Sequence, residues 1–295
     1  MHGMLGVNPS FRVPTFHEYS HPCSAWYVPN FVTRQLQELK MLSMRRLMPS
    51  LKSIHYTGAE SPEEDIVALG HNMVSMILFT TFHVPKYVDW IRNGTSKDHI
   101  LKDSLYYLRG VLDQHLRTDN KPWILKTPWH LAQIDEVAEV FPGSRFVWLH
   151  RDPIDSLSSM IDLVLSLSGI GSDLAYGEAQ RRKIALYTVD IWFWALERGV
   201  EARNRVKGRL EFLDVSFDTL NADPVGVATD VFHRFGYAVN RSVNRQLKAF
   251  AKENGRGSRG AHNHQLEFGI DNEAIRAKYN EIMGKLERTN YIGNH

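Results

Sequence analysis

Two short apolar runs in the middle of the chain constrain its fold more than any other feature. WILK at 123–126 and RFVWLH at 145–150 are continuous runs rather than alternations of apolar and polar residues. Such runs are typical of strands that are buried on both faces, as in a parallel sheet. Between them, apolar residues recur at helical spacing, at Leu131, Ile134, Val137 and Phe141. Asp152 and Pro153 then provide an N-cap and a first helical residue, so the order strand–helix–strand–helix predicts an α/β fold.

The rest of the chain is predicted to be mostly helical, with one more strand. LEFLDV at 210–215 is a third apolar run. Ser61, Pro62 and Glu64 match a capping box and predict a helix that runs from there to about Phe82. Further helices are predicted at 31–48, 98–116, 174–204, 223–236, 240–252 and 271–287. No repeat or low-complexity linker interrupts the chain, so we expect one helix-rich, three-layer domain over residues 1–295.

The overall charge excludes some partners. Lysines and arginines number 35 and acidic residues 33, so the formal net charge is 35 − 33 = +2. This excess is too small to indicate nucleic acid or an anionic membrane surface as a partner of the whole chain. An anionic ligand must therefore be bound by a local cluster of Arg and Lys.

Cysteine content and hydropathy predict a cytoplasmic protein with no membrane span. Cys23 is the only cysteine, which rules out an intrachain disulfide and favours a reducing compartment. Residues 1–15 lack the pattern of a signal peptide. The most apolar stretch, at 73–82, is much shorter than the roughly 20 residues that span a bilayer.

The candidate ligand site lies where the predicted strands end. Ligands of open parallel sheets bind at the carboxyl ends of the strands, near the N-termini of the following helices. Lys126 and Arg151 each follow a predicted strand and place a cation there. Lys126 closes a buried strand, so its ammonium must meet an anion or water. His130 lies in the first turn of the next helix, where the helix dipole favours a neutral imidazole that can act as a base; a surface lysine and a histidine at a helix start are the alternative.

Two other segments carry candidate ligands. GRGSRG at 255–260 matches a dinucleotide fingerprint in letters, but it lies between predicted helices rather than after a strand. Its glycines and the cations Arg256 and Arg259 fit either an anion-binding loop or a solvated basic loop. His17, His21 and Cys23 have spacings that a metal can use, yet no fourth ligand is apparent, so no metal site is predicted.

Together these segments resemble the sulfotransferase family, in particular its bacterial-type branch. The resemblance extends over nearly the whole chain in order, in PEED at 62–65, TFHVPKYVDW at 81–90, LKTPWHL at 125–131, FPGSRFVWLHRDP at 141–153, ADP at 222–224 and GRGSRGAHNHQLEFGID at 255–271. It implies a parallel sheet like that of P-loop nucleoside-triphosphate hydrolases. It also implies in-line transfer of a sulfuryl group from 3′-phosphoadenosine 5′-phosphosulfate (PAPS) to a hydroxyl or amine of a small molecule, with no metal.

The resemblance also implies roles for particular residues. Arg151 and Ser159 match the pair that binds the 3′-phosphate of the cofactor, and Arg256 and Arg259 match a loop that closes over it. Lys126 matches the lysine that contacts the sulfuryl group. His130 is the candidate base, although it is offset from the family's catalytic histidine. The family's Tyr-Glu-Asp-Leu is Phe-Asp-Thr-Leu at 217–220, so Phe217 is expected to stack on adenine without offering a hydroxyl.

One departure divides the functional prediction into two hypotheses. Relatives begin with a strand and a loop that binds the 5′-phosphosulfate, whereas MHGMLGVNP at 1–9 resembles the helix after that loop, and no G-x-x-x-x-G-K-[ST] occurs elsewhere. The first hypothesis is an active sulfotransferase whose start lies upstream of Met1. The second is a non-catalytic relative that binds at most a nucleotide 3′-phosphate or a protein partner. A chain that begins at Met1 is expected to transfer little sulfuryl.

Overall fold

A computed structural model describes residues 1–22, 30–47, 58–94, 99–115, 121–168, 176–254, 266, 268–286 and 291–292. The first helices in chain order are α1 (His2–Gly6), α2 (Phe16–Ser20), α3 (Asn30–Leu47), α4 (Ile66–Gly70), α5 (Met76–Thr81), α6 (Pro85–Gly94) and α7 (Ile100–His115). A 3-10 helix (Pro128–Gln133) follows, then α8 (Ile134–Val140), β1 (Arg145–His150), α9 (Pro153–Ser168), α10 (Glu178–Arg205) and β2 (Glu211–Ser216). The last elements are α11 (Phe217–Ala222), α12 (Pro224–Arg234), α13 (Arg241–Glu253), α14 (Asn272–Met283) and β3 (Tyr291–Ile292).

The described strands form a parallel sheet in the order β1–β2–β3. The two runs predicted as strands at 145–150 and 210–215 are confirmed, and they pair in register, with Trp148 opposite Asp214. Leu213 and Phe212 point to opposite faces of β2 because side chains alternate along a strand, and both are buried. The middle strand is therefore buried on both faces, as expected for a continuous apolar run. In β1 no residue is fully buried, so the predicted burial of the run at 145–150 on both faces is wrong. The short strand β3 was not predicted.

The chain divides into two compact units, of which the second contains the sheet. It comprises Val74–Asp103, Pro128–Ala222 and His262–His295. Its core joins α9, α10 and α14, and Trp148 of β1 packs against it. The buried members are Ile154, Leu157, Phe193, Leu196, Val200, Ile275, Ile282, Met283 and Leu286. A parallel sheet with helices packed on it confirms the predicted helix-rich α/β class.

The first unit comprises Met1–Met73, Ser104–Thr127 and Asp223–Ala261. Tyr19 of α2 is 1% exposed, and its hydroxyl donates a hydrogen bond to the buried carboxylate of Asp65. Burial and this carboxylate raise the pKa of Tyr19 well above its ordinary value. Phe11 packs against Phe232 and Tyr237, and so joins the N-terminal segment to α12 and the turn after it.

The segment 123–126 does not form a strand of the parallel sheet, so this prediction is wrong. This segment pairs with the N-terminal chain through a single bridge between Trp123 and Arg12, outside the sheet. The N–H of Ile124 donates to the carbonyl of Arg12, and the N–H of Arg12 donates to the carbonyl of Pro122. The three apolar residues of the run are half-buried and Lys126 is exposed, and the neighbour of the run is a loop rather than a strand.

The predicted helix start at Ser61 is also wrong. Pro62 forms an antiparallel bridge with Thr15, and the helix begins only at Ile66. Ser61 accepts a hydrogen bond from the N–H of Gly58 through its hydroxyl rather than capping a helix. The capping box forms instead at the start of α2, where Thr15 and Glu18 each accept the other's backbone N–H.

A glycine in α10 allows this helix to approach the 3-10 helix closely. A Cβ added at Gly199 would lie 2.7 Å from the backbone oxygen of Leu131, which is closer than real Cβ contacts. We expect Gly199→Ala to lower the free energy of unfolding by about 1–3 kcal/mol, because the two helices must move apart. Urea unfolding followed by circular dichroism measures this loss.

Gly110 of α7 provides the matched control for this prediction. It is also helical, but a Cβ there would meet no atom within 4 Å. Gly110→Ala should therefore stabilise the protein slightly, because alanine has the higher helix propensity. Equal effects of the two substitutions would contradict the close approach at Gly199.

Candidate functional site

The carboxyl end of β1 turns directly into α9 through a capped helix start. One carboxylate oxygen of Asp152 accepts hydrogen bonds from the N–H groups of Ile154 at 2.8 Å and Asp155 at 3.3 Å. Its other oxygen pairs with Arg276. Burial acts to raise the pKa of Asp152, but the hydrogen bonds from Arg276 and the two N–H groups outweigh it and lower the pKa. The predicted N-cap is confirmed, and it fixes the backbone next to Arg151.

Arg151 and Phe217 meet at the carboxyl ends of β1 and β2. The guanidinium carbon of Arg151 lies 4.9 Å from the centre of the Phe217 ring, within the range of a cation–π contact. Arg151 follows β1 directly, and Phe217 is the first residue of α11, immediately after β2. The paired ends of two parallel strands thus bring together two residues that lie 66 positions apart in the sequence.

A carboxylate that we did not predict accompanies Arg151. Asp155 lies one turn into α9, and its oxygen is 3.8 Å from a guanidinium nitrogen of Arg151. This separation exceeds hydrogen-bond distance, so the pair is an ionic contact that a closer anion can replace. The spacing of four residues between Arg151 and Asp155 is the sequence signal that could have identified it.

Ser159 lies on the same side of α9 as Asp155. The two residues are four positions apart, so they occupy the same helical face one turn from each other. Ser159 is exposed, whereas the neighbouring Ser158 is buried. Ser159 is therefore the exposed serine among Ser156, Ser158 and Ser159, and its role in ligand binding stays a prediction.

A buried ionic cluster supports the two strand ends from inside. Arg203 of α10 donates two hydrogen bonds of 2.7 Å each to the carboxylate of Asp214 on β2. The Nε2–H of His150, the last residue of β1, donates a 2.6 Å hydrogen bond to the same carboxylate. Burial acts to raise the pKa of Asp214, but the hydrogen bonds from Arg203 and His150 outweigh it and lower the pKa to about 2.

This cluster was not predicted, although the sequence contains a signal for it. Asp214 interrupts the apolar run LEFLDV, and a carboxylate inside a buried strand needs a cationic partner. The guanidinium of Arg203 also contacts two aromatic rings, at 5.3 Å from the centre of Trp148 and 4.5 Å from that of Phe212. The cluster therefore holds β1, β2 and α10 together next to Arg151.

Lys126 belongs to the first compact unit of the chain and His130 to the second. In the first unit, the ammonium of Lys126 forms an ion pair with Glu64, which confirms that it meets an anion. Glu64, which we predicted to close a capping box, is instead the partner of Lys126. In the second unit, His130 is half-buried in the 3-10 helix, beside the buried Trp129. Its predicted position in the first turn after the run at 123–126 is correct, although that turn is 3-10 rather than α-helical.

The remaining predicted site residues, Arg256 and Arg259, lie outside the described residues, so their roles stay predictions. Within the described ranges, no group of three or more His, Cys, Asp or Glu side chains is arranged to hold a metal ion. Among the same described residues, no helix is both long and apolar enough to cross a membrane.

A cavity of about 400 Å³ lies at the opposite end of the strands from Arg151. Arg145 at its edge pairs with Glu211 at 3.3 Å, and Arg209 donates to the carbonyl of Ala138 at 3.4 Å. Helices α8 and α10 both end at this edge, and helix C-termini carry partial negative charge that such cations offset. Arg145 and Arg209 are thus accounted for by contacts within the protein and do not indicate a bound anion at this cavity. The candidate ligand site therefore remains at the carboxyl ends of the strands.

Comparison with known proteins gives consistent results for sequence and fold. The profile of the sulfotransferase family matches residues 1–241. No curated protein gives a significant match to the sequence. Sulfotransferase STF9 from Mycobacterium avium has a similar fold, with a TM-score of 0.78 and 17% identity, over 98% of this chain and 73% of that one. Sulfotransferase STF1 from Mycobacterium tuberculosis H37Rv has a TM-score of 0.73 and 23% identity, over 94% of this chain and 72% of that one.

Proposed function

Because the chain belongs to the sulfotransferase family, we propose that it binds PAPS and transfers its sulfuryl group to a hydroxyl or amine of a small-molecule acceptor. PAPS supplies the activated sulfuryl group. The observation that best supports this donor is the pairing of Arg151 with Phe217 at the strand ends, because it combines a phosphate-binding cation with an aromatic face. A nucleotide with a 3′-phosphate presents both an anion and a planar base.

Arg151 is proposed to bind the 3′-phosphate. Its guanidinium is about one-quarter exposed, so a phosphate bound there loses part of its water and interacts strongly. The phosphate must replace Asp155, whose carboxylate lies 3.8 Å from the guanidinium. A phosphate offers oxygens at hydrogen-bond distance and in bidentate geometry, which favours this exchange.

Ser159 and Phe217 are proposed to complete this half of the site. The hydroxyl of Ser159, on the same helical face as Asp155, donates a further hydrogen bond to the phosphate. Phe217 packs against the adenine by its ring. Arg256 and Arg259 are proposed to approach the same phosphate, as the family resemblance implies.

Lys126 and His130 are proposed to act on the reacting end. Lys126 contacts the transferring sulfuryl group, whose negative charge takes the place of Glu64 at the ammonium. His130 accepts the proton that the acceptor loses as its oxygen or nitrogen bonds to sulfur, while the sulfur–oxygen bond to the 5′-phosphate breaks. The single cysteine supports the cytoplasm as the location.

The alternative is a non-catalytic relative that binds only the 3′-phosphate end. One observation favours it, since the cation proposed for the sulfuryl group is already paired with Glu64. The donor test is calorimetric titration with adenosine 3′,5′-bisphosphate and with adenosine 5′-monophosphate, which lacks the 3′-phosphate. We expect the bisphosphate to bind more tightly; equal or absent binding of both would contradict the proposed donor.

The second test separates transfer from binding alone. Radiolabelled PAPS and a panel of phenols, alcohols and amines measure turnover, and His130→Gln should lower it by about 100-fold or more. The same substitution should leave the affinity for the bisphosphate unchanged. Binding without turnover by the unmodified protein would support the non-catalytic alternative.

A further inference from the structure

Helix α3 exposes large apolar side chains to solvent. Phe31, Leu36, Leu39 and Leu42 are 63%, 52%, 60% and 54% exposed. At about 100° per residue, these four lie within an arc of about 140° on one side of the helix. We call this arc the outward face of α3.

The opposite side of α3 attaches to the first unit largely through polar groups. Gln37 and Met41 are buried there, at 6% and 5% exposure. Thr33 hydrogen-bonds to His17 at 2.7 Å, and Glu38 accepts the N–H of Ala59 at 2.6 Å. The helix therefore has the reverse of the usual orientation, in which the apolar side packs on the protein and the polar side meets water.

An apolar surface of this kind indicates a partner that covers it. The charges around the outward face indicate the chemistry of that partner. Arg34, Lys40 and Arg46 are exposed, and Glu38 is the only acidic residue in the helix sequence. Lys40 lies about 40° beyond one edge of the outward face, Arg34 lies about 60° beyond the other, and Arg46 lies within the arc in the last turn. The helix is thus locally basic, although the net charge of the whole chain is only +2.

The existing ion pair of Arg34 does not prevent it from meeting another anion. Arg34 contacts Glu60 at 3.0 Å, but the two side chains are 52% and 59% exposed. Exposed pairs of this kind are weak and are screened by salt. The carboxylate of Glu38 keeps its charge while it accepts the N–H of Ala59, but the three exposed cations Arg34, Lys40 and Arg46 outnumber it.

We propose that the outward face of α3 binds an anionic lipid surface. Exposed leucines and a phenylalanine bordered by lysine and arginine are the pattern of helices that lie in the membrane interface. The apolar side chains enter the boundary between headgroups and acyl chains, while the long cationic side chains reach the phosphates. This placement requires no membrane-spanning helix, and it does not depend on the donor or acceptor proposed above.

Vesicle sedimentation with the full chain tests this proposal. We expect the protein to bind vesicles of equimolar phosphatidylserine and phosphatidylcholine, to bind less at high salt, and to bind phosphatidylcholine alone weakly. Leu36→Gln combined with Leu39→Gln should lower the partition coefficient by about tenfold or more, because it removes apolar area from the contact. Glutamine keeps a high helix propensity, and both positions are already exposed, so circular dichroism should be unchanged.

Leu186→Gln is the matched control, because Leu186 is a helical leucine outside α3 that is 43% exposed. It should leave vesicle binding unchanged. Failure to bind the mixed vesicles, or equal binding by the Leu36 and Leu39 double variant, would overturn the proposal. Light scattering without lipid provides a further check. If the protein is a dimer that the double variant converts to a monomer, the outward face binds a second copy of the chain and the proposal is overturned.

Discussion

Asp214→Asn is expected to lower the free energy of unfolding by about 3–5 kcal/mol, the largest effect that we predict for a single substitution. The change leaves the guanidinium of Arg203, which is 4% exposed, without its counter-charge in the interior. It also weakens the hydrogen bond from His150 across the ends of β1 and β2. The two aromatic rings beside Arg203 offer only a cation–π attraction, which is smaller than the lost ionic interaction.

An exposed ion pair on the same two strands provides the control. Arg145 and Glu211 are the first residues of β1 and β2, and their side chains are 42% and 46% exposed. Glu211→Gln should change stability by only about 0–1 kcal/mol. A double variant with Asp214→Leu and Arg203→Met should recover part of the loss, because it removes both buried charges together. Equal effects of Asp214→Asn and Glu211→Gln in urea unfolding would contradict the role of the buried cluster.

The same carboxylate predicts a loss of stability in acid. The pKa of Asp214 falls from an ordinary 3.8 to about 2 on folding, because the hydrogen bonds from Arg203 and His150 outweigh the effect of burial. Its ionisation therefore contributes about 2 kcal/mol, present above the unfolded pKa and lost as the pH falls through the folded value. Urea unfolding from about pH 5 to about pH 2 should show this loss, and Asp214→Asn should lack it.

Arg151→Ala is expected to weaken binding of adenosine 3′,5′-bisphosphate by about 2–4 kcal/mol, or roughly 30- to 1000-fold. The size of the effect follows from the half-buried guanidinium, whose bond to the 3′-phosphate is partly shielded from water. Binding of adenosine 5′-monophosphate should hardly change, because that ligand has no 3′-phosphate. Isothermal titration calorimetry of both ligands measures the two effects.

Two further variants make this test specific. Arg145→Ala removes an arginine from the opposite end of the same strand and should leave both affinities unchanged. Asp155→Asn should tighten bisphosphate binding by about 0.2–1 kcal/mol, because it removes the carboxylate that competes with the phosphate. Unchanged affinity in Arg151→Ala would refute the assignment of this residue to the 3′-phosphate.

Local patterns predicted two of the described strands, at 145–150 and 210–215, and most of the helices correctly. Within the helix predicted at 98–116, Leu101, Leu105, Leu108 and Leu112 recur at helical spacing, and all four are buried in α7. The strand at 211–216 was recognisable because a strand buried on both faces needs a continuous apolar run. The run at 145–150 also forms a strand, but none of its residues is fully buried, so the predicted burial is wrong there. Such signals reside in a few adjacent residues, so they can be read without knowledge of the partner.

The two errors in the fold arose where a local signal had more than one possible partner. Thr15 and Ser61 are each followed three residues later by glutamate, and both segments match a capping box. The box forms at Thr15 and not at Ser61, because Pro62 forms a bridge with Thr15 and Glu64 pairs with Lys126. The run at 123–126 is equally ambiguous, because three apolar residues followed by a lysine do not specify which segment lies beside them.

The candidate site shows the same division. Residue type and position at a strand end were enough to identify Arg151 as an anion-binding candidate, since parallel strands place their ligands there. The contact with Phe217 and the nearby carboxylate of Asp155 depend on the register of β1 against β2 and on the direction of α9. Neither is a property of one segment.

By itself, the sequence determined the α/β class and the family, because apolar periodicity and short motifs are local properties, and it predicted an anionic ligand from the charge of strand-end residues. Only the tertiary structure decided which groups neutralise these charges, since ion pairs such as Arg203 with Asp214 and Lys126 with Glu64 join residues that folding brings together. It also decided that α3 faces the protein with Gln37 and Met41 and leaves Leu36, Leu39 and Leu42 outside. An amphipathic pattern shows that a helix has two sides, but the contacts of the fold determine which of them is buried.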